Sequence, residues 1–217
     1  MILKSEITQL IPSNVKLGFY LLDTKTKEQI VINENDWFPL ASVSKLITAI
    51  FALAKNANIK KEDIFNAISK HCGSSYKRLL EKISSEEINR QLVELNIEIK
   101  VDDDNKDIAN NLGTPNGIYK ILSLLLEGEL LDSISNHLII KSLEQQNDED
   151  GFKLNKHYNW YHMTGGLDGV CNDIGYFKFK DRKIIVIGLI KTTDTDVEWY
   201  HLEETLQKIG RIIVSNY

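Results

Sequence analysis

The sequence predicts an α+β protein: one antiparallel sheet of about five strands, flanked by helices from the two chain ends, with an all-helical subdomain inserted between its early and late strands. Three observations carry this expectation. The β-rich runs are confined to the ends of the chain, "VKLGFYLLD" and "EQIVIN" early, and "NWYHMTG", "DIGYFKFK" and "KIIVIGLIK" late. Between them, residues 42–145 carry apolar stripes at helical spacing almost throughout. No internal repeat, low-complexity tract or flexible linker divides the 217 residues.

Each element follows from its own pattern. Residues 4–12 read as a short helix, and the polar turn "TKTKE" between the first two β-rich runs reads as a hairpin. In the middle, "SKLITAIFALAKNA", "KEDIFNAISKH", "SYKRLLEKI", "SEEINRQLVELNI", "TPNGIYKILSLLLEGEL" and "SISNHLIIKSLEQQ" are the helices. Thr114–Pro115 is an N-cap followed by Pro at the first helical position, and Ser84 with Glu87 gives a capping signal. "VDDDNKDIANN" (101–111) is the one long polar loop. In the late strands "FKFK" alternates as a half-exposed strand does, Asp181–Arg182 makes a tight turn, and "IIVIGLI" has the continuous apolar character of a strand covered on both faces. Leu202, Leu206, Ile209, Ile212 and Ile213 define a closing helix over 197–215. Residues 1–36 with 157–217 should form the sheet subdomain and 37–156 the helical one, together one structural domain with a pocket at their boundary.

Composition narrows the function. The chain is 42% hydrophobic and 26% charged with a net charge of −5, which argues against nucleic acid as a partner. The longest apolar runs, "KLITAIFALA" and "IIVIGLI", are too short to span a bilayer, so no membrane partner is expected. "MILKSEITQLIPSN" holds no uninterrupted apolar run of a secretory signal, and Cys72 and Cys171 stand far apart, which together suggest a cytoplasmic protein with two free thiols. His71, His137, His157 and His201 lack metal-ligand spacing and are expected in solvated or core roles. Neither a metal nor a cofactor is expected, and the oligomeric state stays open.

Ser-x-x-Lys occurs three times, at Ser13–Lys16, Ser42–Lys45 and Ser74–Lys77. Ser13 precedes a strand, where positions three apart face opposite sides, and Ser74 is followed by exposed Lys77 and Arg78. Ser42 differs, because Pro39 ends an extended segment and an apolar helix then runs from Val43 to Ala54. There Lys45 sits one turn above Ser42 on the same face, and burial would depress its pKa and let it act as a base. The helix N-terminus offers free N–H groups for a developing oxyanion. The plainer alternative makes Ser42 an N-cap and Lys45 a lysine snorkelling to solvent.

Two further stretches bear on that choice. Residues 161–177, "YHMTGGLDGVCNDIGYF", resemble the third-strand motif of class A β-lactamases and their penicillin-binding relatives, where Lys-Thr-Gly is followed by Asn-Asp and an apolar strand. "GTPNGIYKILSLLLEGELLDSISNHLIIKSLEQQ" (113–146) is similar to the helix pair that precedes that strand, and with "FPLASVSK" the segments fall in the family's order. The resemblance covers most of the chain and implies a β-lactamase/transpeptidase-like fold. It implies that Ser42 attacks an acyl carbonyl while Lys45 takes its proton, directly or by relay. It further implies that the N–H groups of Ser42 and Gly166 form the oxyanion hole, that Thr164 holds a substrate carboxylate, and that Gly165 and Gly166 let substrate lie against the strand edge.

The departures from the pattern are specific. Met163 stands where the family has the lysine of Lys-Thr-Gly, with His162 beside it as a possible substitute cation or a structural residue. Counting back from Leu79–Leu80 puts Cys72-Gly73-Ser74 at the family's Ser-Asp-Asn motif. Cys72 then replaces the proton-relaying serine and Ser74 the amide donor, or they are a structural thiol and a helix cap. Asp168 and Asn172–Asp173 are expected to fix the turn after the strand. Between 95 and 113 only Glu98 and the aspartates 102, 103, 104 and 107 could activate a deacylating water, and none has the family's surroundings. The expectation is a serine hydrolase or acyltransferase forming an acyl-Ser42 intermediate from a small-molecule β-lactam, amide, ester or thioester, without efficient class A deacylation. A cytoplasmic address favours a metabolite over cell-wall peptide. The rival is a catalytically impaired relative that binds a ligand or partner, and a third possibility makes Cys72 the nucleophile.

Overall fold

The strand read as doubly covered is the centre of the sheet. In the computed structural model, which describes residues 2–55, 58–102, 108–194 and 196–217, Arg182–Lys191 lies between its neighbours in a five-stranded antiparallel sheet. In chain order the strands are β1 (Lys16–Asp23), β2 (Gln29–Ile32) and, after the three short strands β3 to β5 of a second sheet described below, β6 (Trp160–Leu167), β7 (Val170–Phe179) and β8 (Arg182–Lys191). Their spatial order is β2-β1-β8-β7-β6, so strands from both chain ends join as expected and β6 is an edge. The period of two sorts the side chains of β8: Ile185, Ile187 and Leu189 face the helical layer, Ile184, Val186 and Ile190 the opposite one.

The opposite layer is built by α1 (Ile2–Gln9) and α8 (Trp199–Asn216), whose Leu202, Leu206, Ile209 and Ile213 are buried against the sheet. Gly188 of β8 faces them, where a Cβ would lie 2.5 Å from the Phe152 ring and 2.7 Å from Leu206. The helical layer is organised around α2 (Val43–Ala54), buried from Val43 through Ala52. Each fully buried Leu or Ile there contributes about 1.5–3 kcal/mol by leaving water. Around it lie α3 (Lys61–Ser69), α4 (Gly73–Leu80), α5 (Ser85–Glu94), α6 (Pro115–Glu127) and α7 (Ser133–Glu144). The caps read from sequence form: Thr114 accepts from Gly117 N–H at 2.9 Å and Ser84 from Glu87 N–H at 3.2 Å.

The middle of the chain is less uniformly helical than its periodicity suggests. β3 (Phe38–Pro39), β4 (Ile99–Lys100) and β5 (Leu112–Gly113) form a second sheet in the order β3-β5-β4. Strands of two residues carry no periodicity to read. This sheet matters because Phe38 pairs with Gly113 and Pro39 with Leu112, immediately before Ser42. Among the described residues no helix is long and apolar enough to cross a membrane.

Candidate active site

The approach to α2 is a locked turn. Leu40 N–H donates to Asn111 O at 2.8 Å, which continues the β3 pairing one residue further. Ala41, fully buried, then adopts φ 49°, a left-handed conformation that a residue with a Cβ takes only under constraint. The constraint comes from β7. The side-chain amide of Asn172 donates to Pro39 O at 2.9 Å and Leu40 O at 3.2 Å, while its oxygen accepts from Ile190 N–H at 3.2 Å. Asn172 therefore fixes the turn ahead of Ser42, not the turn after β6.

Ser42 occupies the N-cap position of α2, but its side chain makes no capping hydrogen bond. Its Oγ instead accepts from Lys45 Nζ at 3.0 Å. Lys45 is buried and does not snorkel to solvent. It donates a second bond to His71 O at 3.1 Å. Burial lowers its pKa, opposed only by the nearby Cys72 thiol. His71 presents that carbonyl with φ 51°, again left-handed for a non-glycine residue. Cys72 caps α4, its Sγ 3.2 Å from Ser74 Oγ. The Ser74 hydroxyl, the Ser75 backbone N–H and the Ser75 hydroxyl stabilise the thiolate and pull the Cys72 pKa down to about 6.

The facing wall is the edge strand β6. At Gly165 a Cβ would lie 2.7 Å from Leu40 O and 3.2 Å from Ser42 N, so only glycine lets this strand close on the turn that carries Ser42. Gly166 packs its Cα on the Trp199 indole, which donates to Val170 O at 3.0 Å. Between the walls is a cleft of about 230 Å³ lined by Ser42, Thr164, Gly165, Gly166, Asn172 and Trp199 together with His71, Asp148 and Asp150. Met163 is fully buried among the helical-layer side chains.

His162 is not in the cleft, which corrects the expectation that it touches substrate. Alternation along β6 turns it to the far face, where its Nδ1 lies 2.9 Å from Asp173 Oδ1 and both residues are buried. Burial raises the Asp173 carboxyl pKa, with His162 and the Phe152 N–H opposing. The histidine that does face the cleft is His71, against the expectation of a solvated or core role. Its Nε2 lies 3.1 Å from Thr164 Oγ1, 2.9 Å from Gln146 Nε2 and 3.7 Å from Asp148 Oδ2. Burial, then the charge of Lys45, depresses its pKa to about 4.

This arrangement, a hydroxyl bonded to a buried lysine one turn later and closed over by a glycine edge strand, is set in a chain with recognisable relatives. The sequence model of the beta-lactamase enzyme family matches residues 2–63 and 74–217. The chain belongs to the beta-lactamase enzyme family. Beta-lactamase 3 of Bacillus cereus is 28% identical over 124 residues, 57% of this chain, and the match takes in only 37% of that relative's length. Among solved structures, a beta-lactamase from Chitinophaga pinensis superposes with a TM-score of 0.87 at 16% identity, over 100% of this chain and 99% of that one. A mutant of PBP-A in an acyl-enzyme complex with penicillin G gives 0.85 at 15% identity, covering 99% and 96%. An ancestral class A beta-lactamase gives 0.84 at 20%, covering 99% and 100%. At these identities the superpositions speak for the fold, which is that of the β-lactamases, and membership of the family supports a serine-hydrolase type of activity at that level.

Within this family member, several cleft residues gave no sequence signal. Asp148 and Asp150 fall just beyond the helix read to Gln146, and Trp199 falls in the first turn of the closing helix. Asp148 Oδ2 accepts from Thr164 Oγ1 at 2.8 Å. Burial and then the neighbouring Asp148 raise the Asp150 pKa to about 6. Of the acidic residues considered as water activators, Glu98 is paired with Lys120 at 3.0 Å and Asp102 accepts from Asn110 at 2.8 Å. Asp103, Asp104 and Asp107 lie outside the described residues.

Proposed function

We propose that the protein is a serine acyltransferase or hydrolase that works through an acyl-Ser42 intermediate. The observation that carries the reading is the 3.0 Å contact between Lys45 Nζ and Ser42 Oγ at the mouth of a glycine-walled cleft. With Lys45 neutral, Ser42 Oγ attacks the carbonyl carbon as its proton passes to Nζ. Collapse of the tetrahedral intermediate breaks the bond to the leaving group, which takes the proton back. The N–H groups of Ser42 and Gly166 would bear the oxyanion. Water or another nucleophile then takes the acyl group, slowly in this reading because no glutamate lines the cleft among the described residues. The two free thiols fit the cytoplasmic address that is part of the proposal.

Intact-mass analysis after exposure to a fluorophosphonate, a penicillin and a chromogenic cephalosporin tests this. A fluorophosphonate adduct in the wild type that is lost in Ser42→Ala is the expected result, and any adduct formed with the penicillin should outlast the mixing time. No adduct from any of the three would favour a catalytically silent binding protein.

A second reading rests on the Cys72 thiol, whose pKa is pulled down to about 6 beside Lys45. Cys72 could relay the proton to the leaving group, or be the nucleophile itself. Retained acyl transfer in Ser42→Ala that disappears in Cys72→Ser would establish the latter.

A further inference from the structure

The charge of the cleft is opposite to what a substrate carboxylate needs. Two carboxylates line it, Asp148 and Asp150, and they touch through the Asp150 N–H, which donates to Asp148 Oδ1 at 3.1 Å. Among the described residues, the cations nearby are already engaged. Lys45 is bonded to Ser42 and His71, and Lys153 pairs with Glu203 at 3.3 Å. Met163 supplies no charge.

His71 does not make up the deficit. The Gln146 amide nitrogen donates to Ile68 O at 2.9 Å, and its oxygen accepts from Asp148 N–H at 3.1 Å, which fixes the orientation of the amide. The remaining amide hydrogen faces His71 Nε2 at 2.9 Å and Met163 Sδ at 3.6 Å, and Thr164 Oγ1 lies 3.1 Å from the same ring nitrogen. Burial and then the charge of Lys45 lower the His71 pKa to about 4, so the imidazole is neutral at neutral pH.

Thr164, the residue that the family resemblance assigns to a substrate carboxylate, is turned to other use. A hydroxyl has one proton to donate, and Thr164 gives it to Asp148 at 2.8 Å. A carboxylate brought to Thr164 would find no donor there and a like charge one bond beyond. Against partial burial, the Thr164 hydroxyl and the Asp150 N–H hold Asp148 as an anion. Burial together with that neighbouring charge disfavours ionisation of Asp150, a penalty that an incoming cation would relieve. The enclosed walls strengthen the field that such a charge would meet.

We propose that the Ser42 cleft selects acyl donors carrying a cationic group, a protonated amine or a quaternary ammonium, near the scissile carbonyl, with Asp148 and Asp150 as its counter-ions. The proposal rests on Ser42 being the nucleophile only for the word "donor"; the charge preference is a property of the cleft.

Three S-acetyl thioesters test it: acetylthiocholine (cationic), S-3,3-dimethylbutyl thioacetate (neutral) and S-2-carboxyethyl thioacetate (anionic). Each rate is divided by that ester's own rate with hydroxide, because the ammonium group activates its thiolate leaving group. The rate of acetylation is followed by intact mass, with the site mapped to Ser42. The wild type should react at least about tenfold faster with the cationic than with the anionic ester. Asp148→Asn and Asp150→Asn should each cut that ratio by about threefold or more. In parallel, Ser42→Ala should bind choline more tightly than propionate. A wild-type ratio near one or favouring the carboxylate, or a ratio unmoved in both Asp variants, overturns the proposal. If no ester acetylates the wild type, the nucleophile assignment fails, and the choline–propionate comparison still decides the charge preference: equal or reversed affinities overturn it.

Discussion

Lys45 donates to the main-chain carbonyl of His71 at 3.1 Å while the same ammonium lies 3.0 Å from the Ser42 hydroxyl. The helix that Ser42 opens is thereby tied to the loop that opens α4, and the amine is held within hydrogen-bond reach of the Ser42 hydroxyl. His71 offers the carbonyl from a left-handed backbone conformation that costs about 1–3 kcal/mol and persists only because the surroundings enforce it.

The base role proposed for Lys45 has a pH signature. Burial lowers its pKa from 10.5, so the neutral amine becomes available below the range of a free lysine. Acylation of Ser42 should rise with pH and level off before that range is reached. Lys45→Arg keeps a cation but cannot lose its proton, and should slow acylation by about 10²–10⁴-fold. A full rate in Lys45→Arg, measured by quenched intact mass, would remove the lysine from the proton path.

Asn172 acts on Ser42 through the turn between them. Its amide satisfies Pro39 O, Leu40 O and Ile190 N–H, all in the buried joint between β7, β8 and the turn. Asn172→Ala leaves these groups unpaired and should cost about 1–3 kcal/mol of stability by urea titration. Because the φ 49° conformation of Ala41 then loses its restraint, acylation should also slow at temperatures where the variant is fully folded. Unchanged acylation in the folded variant would leave Asn172 with a purely structural role.

How far such features could be read in advance depends on how local their cause is. The β8 run, the Thr114–Pro115 start and the α8 stripe announce themselves, because each is set by its own side chains meeting water or a core. Ser42 and Lys45 are legible for the same reason: residues three apart on one helix share a face whatever the tertiary context. The β3–β5–β4 sheet is not, since two-residue strands exist only through their partners. His71, expected in a solvated or core role, faces the cleft, and His162, read either as a substitute cation or as a structural residue, is the structural one. One depends on a left-handed backbone that no propensity signals, the other on a partner, Asp173, that becomes a neighbour only when β6 pairs with β7. Asp148 and Asp150 reach the cleft because the chain after α7 folds back onto β6, and nothing in "NDED" records that return.

Cys72 should be the reactive thiol of the pair. Hydrogen bonds from the Ser74 hydroxyl and then the Ser75 N–H pull its pKa to about 6, whereas burial pushes the Cys171 thiol far up. Iodoacetamide should alkylate Cys72 with a rate that is half-maximal near pH 6 and flat above, leaving Cys171 unmodified in the folded protein. Ser74→Ala should move the midpoint upward by removing the largest stabilising bond. A midpoint that stays put, or one near the ordinary thiol value, would dissociate Cys72 from its helix-cap environment and weaken any relay role.

Asp150 ties stability to the charge of the cleft. Its pKa is raised to about 6 by burial first and by Asp148 second, with Glu203 of α8 also raising it and Lys153 opposing. A carboxyl whose folded pKa lies above its unfolded value of 3.8 binds its proton more tightly when folded. Its contribution is therefore favourable at low pH and is lost as pH rises from about 4 to 6. Asp150→Asn removes the charge and should stabilise the protein at pH 7–8 by about 1 kcal/mol, after discounting solvent screening of a partly exposed group. Near pH 4 the gain should vanish. Thermal melts of both proteins across that range measure the difference directly. A cation such as choline should give the wild type the same kind of protection at neutral pH and give Asp150→Asn less. An Asn variant no more stable than wild type at pH 8 would mean that the two carboxylates are already compensated within the fold, and the case for an incoming cation would lose its energetic basis.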